Sequence, residues 1–221
     1  MNKTWWKILA CTLILYSVIG GFLMPVPELP ILNETVRNLF FHVPMWFAMI
    51  MLYFISVIYS IKYLSSSKTN DDLIAVESVN AGVIFCFFGL ISGSLWANST
   101  WGDPWPNDPK LNGSAIATLM YLAYLILRNA IDEEQKRARI SALYNIFAFP
   151  VVIVLIYILP KLTDSLHPGS GGNAGFSDID MDSRLRIVFY PACLGWILMG
   201  VWIMTIRYRI RLIENKQNSI N

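Results

Sequence analysis

Six long apolar runs separated by short polar stretches dominate the chain. They cover Trp5–Met24, Phe40–Ile61, Ser78–Ala97, Pro109–Leu127, Leu143–Leu159 and Ile187–Ile206. An α-helix needs about 20 apolar residues to cross roughly 30 Å of hydrocarbon, and each run approaches that length. The pattern predicts an all-α membrane protein: a bundle of six transmembrane helices forming one polytopic membrane domain, 1–221, set in a lipid bilayer. The fourth run meets the length only if its helix starts early. Ser114–Leu127 alone would rise about 21 Å at 1.5 Å per residue, too little to cross. A start at Pro109 solves this, because Asp108 suits the N-cap and proline suits the first helical position. At the other end of this run, Asp132/Lys136 and Glu133/Arg137 are spaced i,i+4, which predicts a charged extension of the same helix.

The polar stretches between the runs carry unequal charge. With the N-terminus placed in the cytoplasm, the inner segments hold 12 of the 17 Lys and Arg residues and the outer segments hold only Arg37, Lys110, Lys161, Arg184 and Arg186. This asymmetry predicts that both termini are cytoplasmic. Lys3 and Lys7 around the start of the first run resemble a signal peptide, but that run is long and no small-residue cleavage site follows, so it is read as a retained helix. The composition agrees with a membrane protein, being 55% hydrophobic and only 14% charged, against about a quarter charged in soluble domains. The net charge of +2 gives nucleic-acid binding no electrostatic support. Cys11, Cys86 and Cys193 lie inside apolar runs with no paired spacing. No Cys-x-x-Cys-His sequence attaches a haem covalently, so the chain is not itself a c-type cytochrome.

Three features fall on the predicted outer side. The loop Trp101-Gly102-Asp103-Pro104-Trp105-Pro106-Asn107-Asp108-Pro109 sets two tryptophans among prolines, and His42 and His167 are the chain's two histidines. Indole rings on a stiff loop make a shelf for a large flat ligand. His167 precedes Pro168, which favours an extended backbone, and the Gly169-Ser170-Gly171-Gly172 run follows it within the 27-residue outer segment Pro160–Arg186. Two histidines are too few for a structural zinc, which takes four ligands. They match the two axial positions of a haem iron, whose macrocycle fills the other four. Arg37 or Lys110 could then meet the propionates, and Arg37 has the bidentate geometry. The plainer alternative stays open here, since histidine and tryptophan are also ordinary interfacial residues at helix ends. Trp5, Trp6, Trp196 and Trp202 are read as such a belt.

At these same residues the chain resembles the CcmC-type haem-handling membrane proteins of cytochrome c maturation. Their signature is Trp-Gly-x-x-Trp-x-Trp-Asp, continuing x-Arg-Leu-Thr-Ser. Trp101, Gly102, Trp105, Asp108 and Leu111 match it, whereas Asn107 replaces the third tryptophan, Lys110 the arginine and Asn112-Gly113 the Thr-Ser pair. Arg37, His42, Val43 and Pro44 match the family's Arg-x4-His-Val-Pro, and Leu166-His167 match its external Leu-His element. Larger relatives carry a second, intramembrane histidine pair, for which this chain has no histidine left.

The resemblance implies that His42 and His167 are axial ligands to haem iron. It also implies that Trp101, Gly102, Trp105 and Asp108 form a haem-facing platform. The cargo would be haem b, bound transiently at the outer face of a bacterial cytoplasmic membrane and passed to a membrane-anchored haem chaperone. An ABC-type ATPase and its permease would be the partners, and no enzymatic activity is expected. Two other classes compete. A permease for another substrate would need polar residues lining the spans, which read as nearly free of them. A membrane haem oxidoreductase would need haem ligands on both sides of the bilayer.

Overall fold

The structure, a computed structural model, describes residues 4–28, 32–167 and 181–218. The glycine-rich run at 169–172 lies outside the described residues. Helix α1 covers Trp5–Leu23 and is followed by a 3-10 turn at Asn33–Asn38. Helices α2 (Leu39–Ser66), α3 (Thr69–Trp101), α4 (Pro109–Asn129) and α5 (Glu134–Ile153) come next. A π-helical turn at Val154–Ile158 leads into the short α6, Leu159–Leu162, and α7 covers Ser183–Asn218. Among the described residues six helical stretches are long and apolar enough to cross a membrane. Large apolar side chains such as Phe22, Leu95, Leu119 and Phe147 are more than 60% exposed. In a chain with so few charges that exposed belt is a lipid-facing surface.

Several helices are longer than the apolar runs from which they were read. Helix α3 begins nine residues before Ser78, and α5 nine before Leu143. Buried ion pairs between helices explain the extra turns of α3. Asp72 accepts two hydrogen bonds from the Arg128 guanidinium, at 2.8 and 2.5 Å, and both residues are buried. Glu77, only 1% exposed, receives Arg207 at 2.7 Å and Arg211 at 3.3 Å from α7. These charges continue the bundle core beyond the apolar stretch, where a reading by hydropathy alone places a loop. The predicted charged extension of the fourth helix does not form. Helix α4 stops at Asn129, and Glu133 adopts an extended backbone as the N-cap of α5. The charged residues therefore open the fifth helix, where the Arg137 backbone N–H donates to the Glu133 carbonyl at 2.8 Å in the first turn of α5.

Helix α2 is central and packs on α3, α5 and α7. Its antiparallel register with α3 is set by small residues under aromatic ones. The ring of Tyr53 lies over Gly82, that of Trp46 over Gly89 and that of His42 over Gly93; a Cβ at these glycines would meet ring atoms at 2.4, 2.8 and 2.6 Å. Between them Met49 faces Cys86, with 3.2 Å between the sulfurs. Each step along α2 is matched by the same step backwards along α3, so one register serves four contacts. Small residues that let helices approach closely are the usual means of association in lipid, where no hydrophobic force separates helix from tail.

The bundle interior is more polar than the sequence suggests. Asn145 donates to Ser56 at 2.6 Å and Ser60 at 3.0 Å, and accepts from the Tyr121 hydroxyl at 3.1 Å. Ser56 in turn donates to the Ala75 carbonyl at 2.7 Å. These four side chains satisfy one another and join α2, α3, α4 and α5.

Candidate functional site: a histidine-bearing cavity at one end of the bundle

The end of α3, the loop after it and the start of α4 build one wall of a cavity. Trp101 is the last residue of α3 rather than part of the loop, and Gly102 ends the helix with φ of +79°. Only a residue without Cβ adopts that left-handed conformation freely, so Gly102 serves as the helix stop. Nothing lies within 4 Å of the place where its Cβ would be. The loop then turns on its own polar groups. Asp103 Oδ1 accepts from the Trp105 backbone N–H at 2.9 Å, and Ser94 donates to the Pro104 carbonyl at 2.8 Å. Asn107 accepts from the Asn112 amide at 2.8 Å, and Asn112 accepts from the Trp105 indole N–H at 3.2 Å. Asn107, standing where the signature has a tryptophan, therefore helps to orient Trp105.

Asp108 does two jobs from a fully buried position. Its Oδ1 caps α4, accepting from Lys110 N at 2.9 Å and Leu111 N at 3.2 Å. Its Oδ2 accepts from Ser165 Oγ at 2.8 Å and Leu166 N at 2.7 Å. His167 Nδ1 lies 3.0 Å from Oδ1, at ion-pair distance but without good hydrogen-bond alignment. The carboxylate thus fastens the segment that carries His167 to the first turn of α4. Burial works against its charge, but His167 and the Leu166 and Ser165 donors outweigh burial, and its pKa falls below the usual carboxylate range. The His167 imidazole moves down from 6.5, because burial and the nearby Lys110 cation exceed the pull of Asp108. It is therefore neutral at pH 7, with a ring nitrogen able to bind a metal. The ring of Trp101 stands edge-on to it at 5.4 Å.

His42 faces the same cavity from the first turns of α2. Its ring is T-shaped to Trp46 at 6.2 Å and to Trp96 at 5.8 Å. Nδ1 lies 3.0 Å from Ser92 Oγ, and the Trp46 indole N–H donates to Nε2 at 3.3 Å. Ser92 donates its own hydroxyl to the Phe88 carbonyl at 2.7 Å. Trp46 can donate only to an unprotonated nitrogen, and Ser92 has no second proton to give. The arrangement assigns the proton to Nδ1 and the lone pair to Nε2.

The structure therefore brings His42, His167, Trp101 and Trp105 to one cavity, together with Trp46, Trp96 and Lys110. The cavity they line is open on one side. Arg37 does not line it. Its guanidinium donates to the Gly21 and Met24 carbonyls at 2.9 and 2.8 Å and pairs with Glu34 at 2.6 Å, fastening the α1–α2 connection. Gly102 and Asp108 do not line it either. Two contributors were missed at the sequence level: Ser92, and the Gly89/Gly93 pair under Trp46 and His42. Their signal was present, as aromatic residues at spacings 4 and 7 along α2 against glycines at spacings 7 and 4 along α3. Among the described residues no three His, Cys, Asp or Glu side chains gather to hold a bare metal ion. A metal at the two imidazoles would have to bring most of its ligands with it.

Fold and site together define a multi-pass membrane protein with an aromatic cavity bearing two imidazoles at one end of its bundle. Over residues 1–221 the sequence matches the family model described as CcmC, Heme exporter protein C, and the chain belongs to that family. These are haem-handling membrane proteins of cytochrome c biogenesis, not enzymes. Among its relatives is a Heme exporter protein C of Paracoccus denitrificans, 25% identical over 203 residues, or 92% of this chain and 82% of that protein. Another, from Bradyrhizobium diazoefficiens, is 29% identical over 193 residues, 85% of this chain and 73% of that protein. A Cytochrome c biogenesis protein CcsA of Prochlorococcus marinus is 35% identical over 96 residues, covering 43% of this chain but 29% of that longer protein.

Proposed function

We propose that this chain binds haem b at the outer face of the bacterial cytoplasmic membrane and delivers it for attachment to c-type cytochromes. His42 and His167 supply the two axial nitrogens. The observation that carries this reading is their meeting at one aromatic-walled cavity from segments 125 positions apart in the chain. A porphyrin is a flat apolar plate. Its docking against Trp96, Trp101 and Trp105 buries area worth about 25 cal/mol per Å², and ligation then fixes its orientation. Lys110, on the cavity wall, suits a propionate better than Arg37, whose donors are committed to carbonyls. Asp108 acts indirectly, by holding the His167 segment.

Delivery places a membrane-anchored haem chaperone at the open side of the cavity. An ABC-type ATPase and permease complete the assembly and supply any energy-driven step. The positive charge collected at the opposite end of the bundle supports a cytoplasmic location for both termini. Deleting the chain from its host should leave c-type apocytochromes without covalent haem, as judged by peroxidase staining of membrane and periplasmic fractions. The wild-type chain should restore staining and the double variant His42→Ala/His167→Ala should not. Undiminished staining in the deletion strain, or full restoration by the double variant, contradicts the proposal.

Asp108 gives a separate prediction. Asp108→Ala should cost the bundle about 0.5–2 kcal/mol through the lost helix cap and should reduce haem retention as far as His167→Ala does. Asp108→Asn keeps an oxygen for the cap but puts an amide where Ser165 and Leu166 donate. It should recover the thermal stability and not the haem. Recovery of both by Asn would mean that the loop is held some other way.

A further inference from the structure

We infer that Trp46 is a release element for haem, acting by covering the iron-binding lone pair of His42 when the iron leaves. The inference rests on the axial-ligand reading above and concerns how that ligand is managed. Its basis is the hydrogen bond from the Trp46 indole N–H to His42 Nε2, at 3.3 Å. The opposite nitrogen is held 3.0 Å from Ser92, whose hydroxyl is in turn anchored to the α3 backbone at Phe88. The proton therefore sits on Nδ1, and Nε2 is the nitrogen that iron would take.

The ring has little freedom to choose another partner. Gly93 lies directly beneath His42 and Gly89 beneath Trp46, so close that a Cβ on either would meet the ring at 2.6 or 2.8 Å. Trp46 and His42 are i,i+4 neighbours on α2 and share one face. The indole N–H and an iron atom would compete for one lone pair.

A protein that only stores haem gains nothing from such a competitor. A protein that must give haem up does. When an Fe–N bond breaks inside an apolar cavity, a bare imidazole lone pair is left without a partner, and a buried acceptor without a donor is costly. Trp46 supplies the donor at that moment, which lowers the free energy of the ligand-free state and of any release step approaching it. Ser92 keeps the ring from turning its protonated nitrogen toward the cavity. This follows the general rule that outer partners fix the tautomer and direction of metal-binding histidines. Nothing covalent changes in the protein: the Fe–Nε2 bond breaks, its electron pair stays on the imidazole, and the indole N–H donates a hydrogen bond to that lone pair.

The test uses Trp46→Phe, which keeps an aromatic ring over Gly89 and removes the N–H. Haem-loaded full-length protein in detergent is mixed with excess apomyoglobin, and transfer is followed at the Soret band. Loss of one competing hydrogen bond should slow dissociation by about 2- to 10-fold. The ligand-free protein supplies a second readout. With uniformly 15N-labelled histidine, His42 should show a protonated Nδ1 in wild type and in Trp46→Phe, with the Nε2 resonance moved toward that of an unbonded nitrogen in the variant.

Unchanged or faster haem loss from Trp46→Phe overturns the inference, and so does an unmoved Nε2 resonance. Both would leave Trp46 as a wall of the cavity only. The underlying reading is tested separately on His42→Ala in the same transfer assay. If that variant loads and releases haem like wild type, the axial assignment itself is wrong.

Discussion

His42→Ala should strip most of the haem from the purified protein, while His167→Ala should keep a part of it with an altered visible spectrum. The asymmetry follows from how each imidazole is held. His42 sits on α2 with its ring wedged over Gly93 and its Nδ1 facing Ser92. Removing it takes a ligand from a wall of the cavity whose backbone is fixed by the packing of α2 on α3. His167 lies on a segment fastened to the bundle through Asp108. Without the His167 imidazole, haem still meets His42 and the indoles, and a water or another donor can fill the sixth position. Haem per protein, measured as the pyridine haemochromogen, checks this directly. Equal and complete loss from both variants would mean that the two ligands contribute alike and that the difference in how they are held does not matter.

The second large effect lies at the far end of the bundle. Arg128→Met should destabilise the protein by about 3–5 kcal/mol, because it leaves the buried Asp72 carboxylate without its counter-charge. Both oxygens of Asp72 are engaged by this one guanidinium, and neither residue is more than 7% exposed. Arg207 and Arg211 are already bound to Glu77 and do not replace it. The double change Arg128→Met/Asp72→Leu should recover most of the loss, since an apolar pair of similar volume does as well as a buried ion pair. Thermal unfolding in detergent, followed by intrinsic fluorescence, gives the comparison. A double variant as unstable as the single one would show that packing of the arginine stem, and not its charge, is what matters here.

The two ends of the molecule differ in how plainly they are written in the chain. Apolar runs of about 20 residues gave the six crossings, and the pairing of Asp108 with Pro109 gave the start of α4 to the residue. Helix lengths were not legible, because Asp72, Glu77 and Arg207 look like loop charges until their partners on other helices are known. Hydropathy sees each residue alone, whereas an ion pair is a property of two segments. The same limit hid the polar contacts of Asn145 with Ser56 and Ser60, and made the spans look drier than they are.

At the candidate site, residue type identified the imidazoles and indoles, which do converge, but not the work of their supports. Arg37 looks like a ligand for an anion and is spent on two carbonyls and Glu34. Asp108 and Gly102 stand inside the tryptophan signature and act on the backbone, one as a cap and tether and the other as a helix stop. Ser92 and Gly93 carried no signal individually. They become visible only when α2 and α3 are aligned in antiparallel register, with His42 against Gly93 and Trp46 against Gly89.

The claim on which the rest depends is that haem iron is gripped between the imidazoles of His42 and His167. Electron paramagnetic resonance of the ferric haem-loaded protein, recorded for wild type and for each histidine variant, tests it most directly. Wild type should give the low-spin signal of iron with two imidazole nitrogens, and each single variant should lose that signal. A wild-type iron that is high-spin, or a bis-imidazole signal that survives in either His42→Ala or His167→Ala, would contradict it.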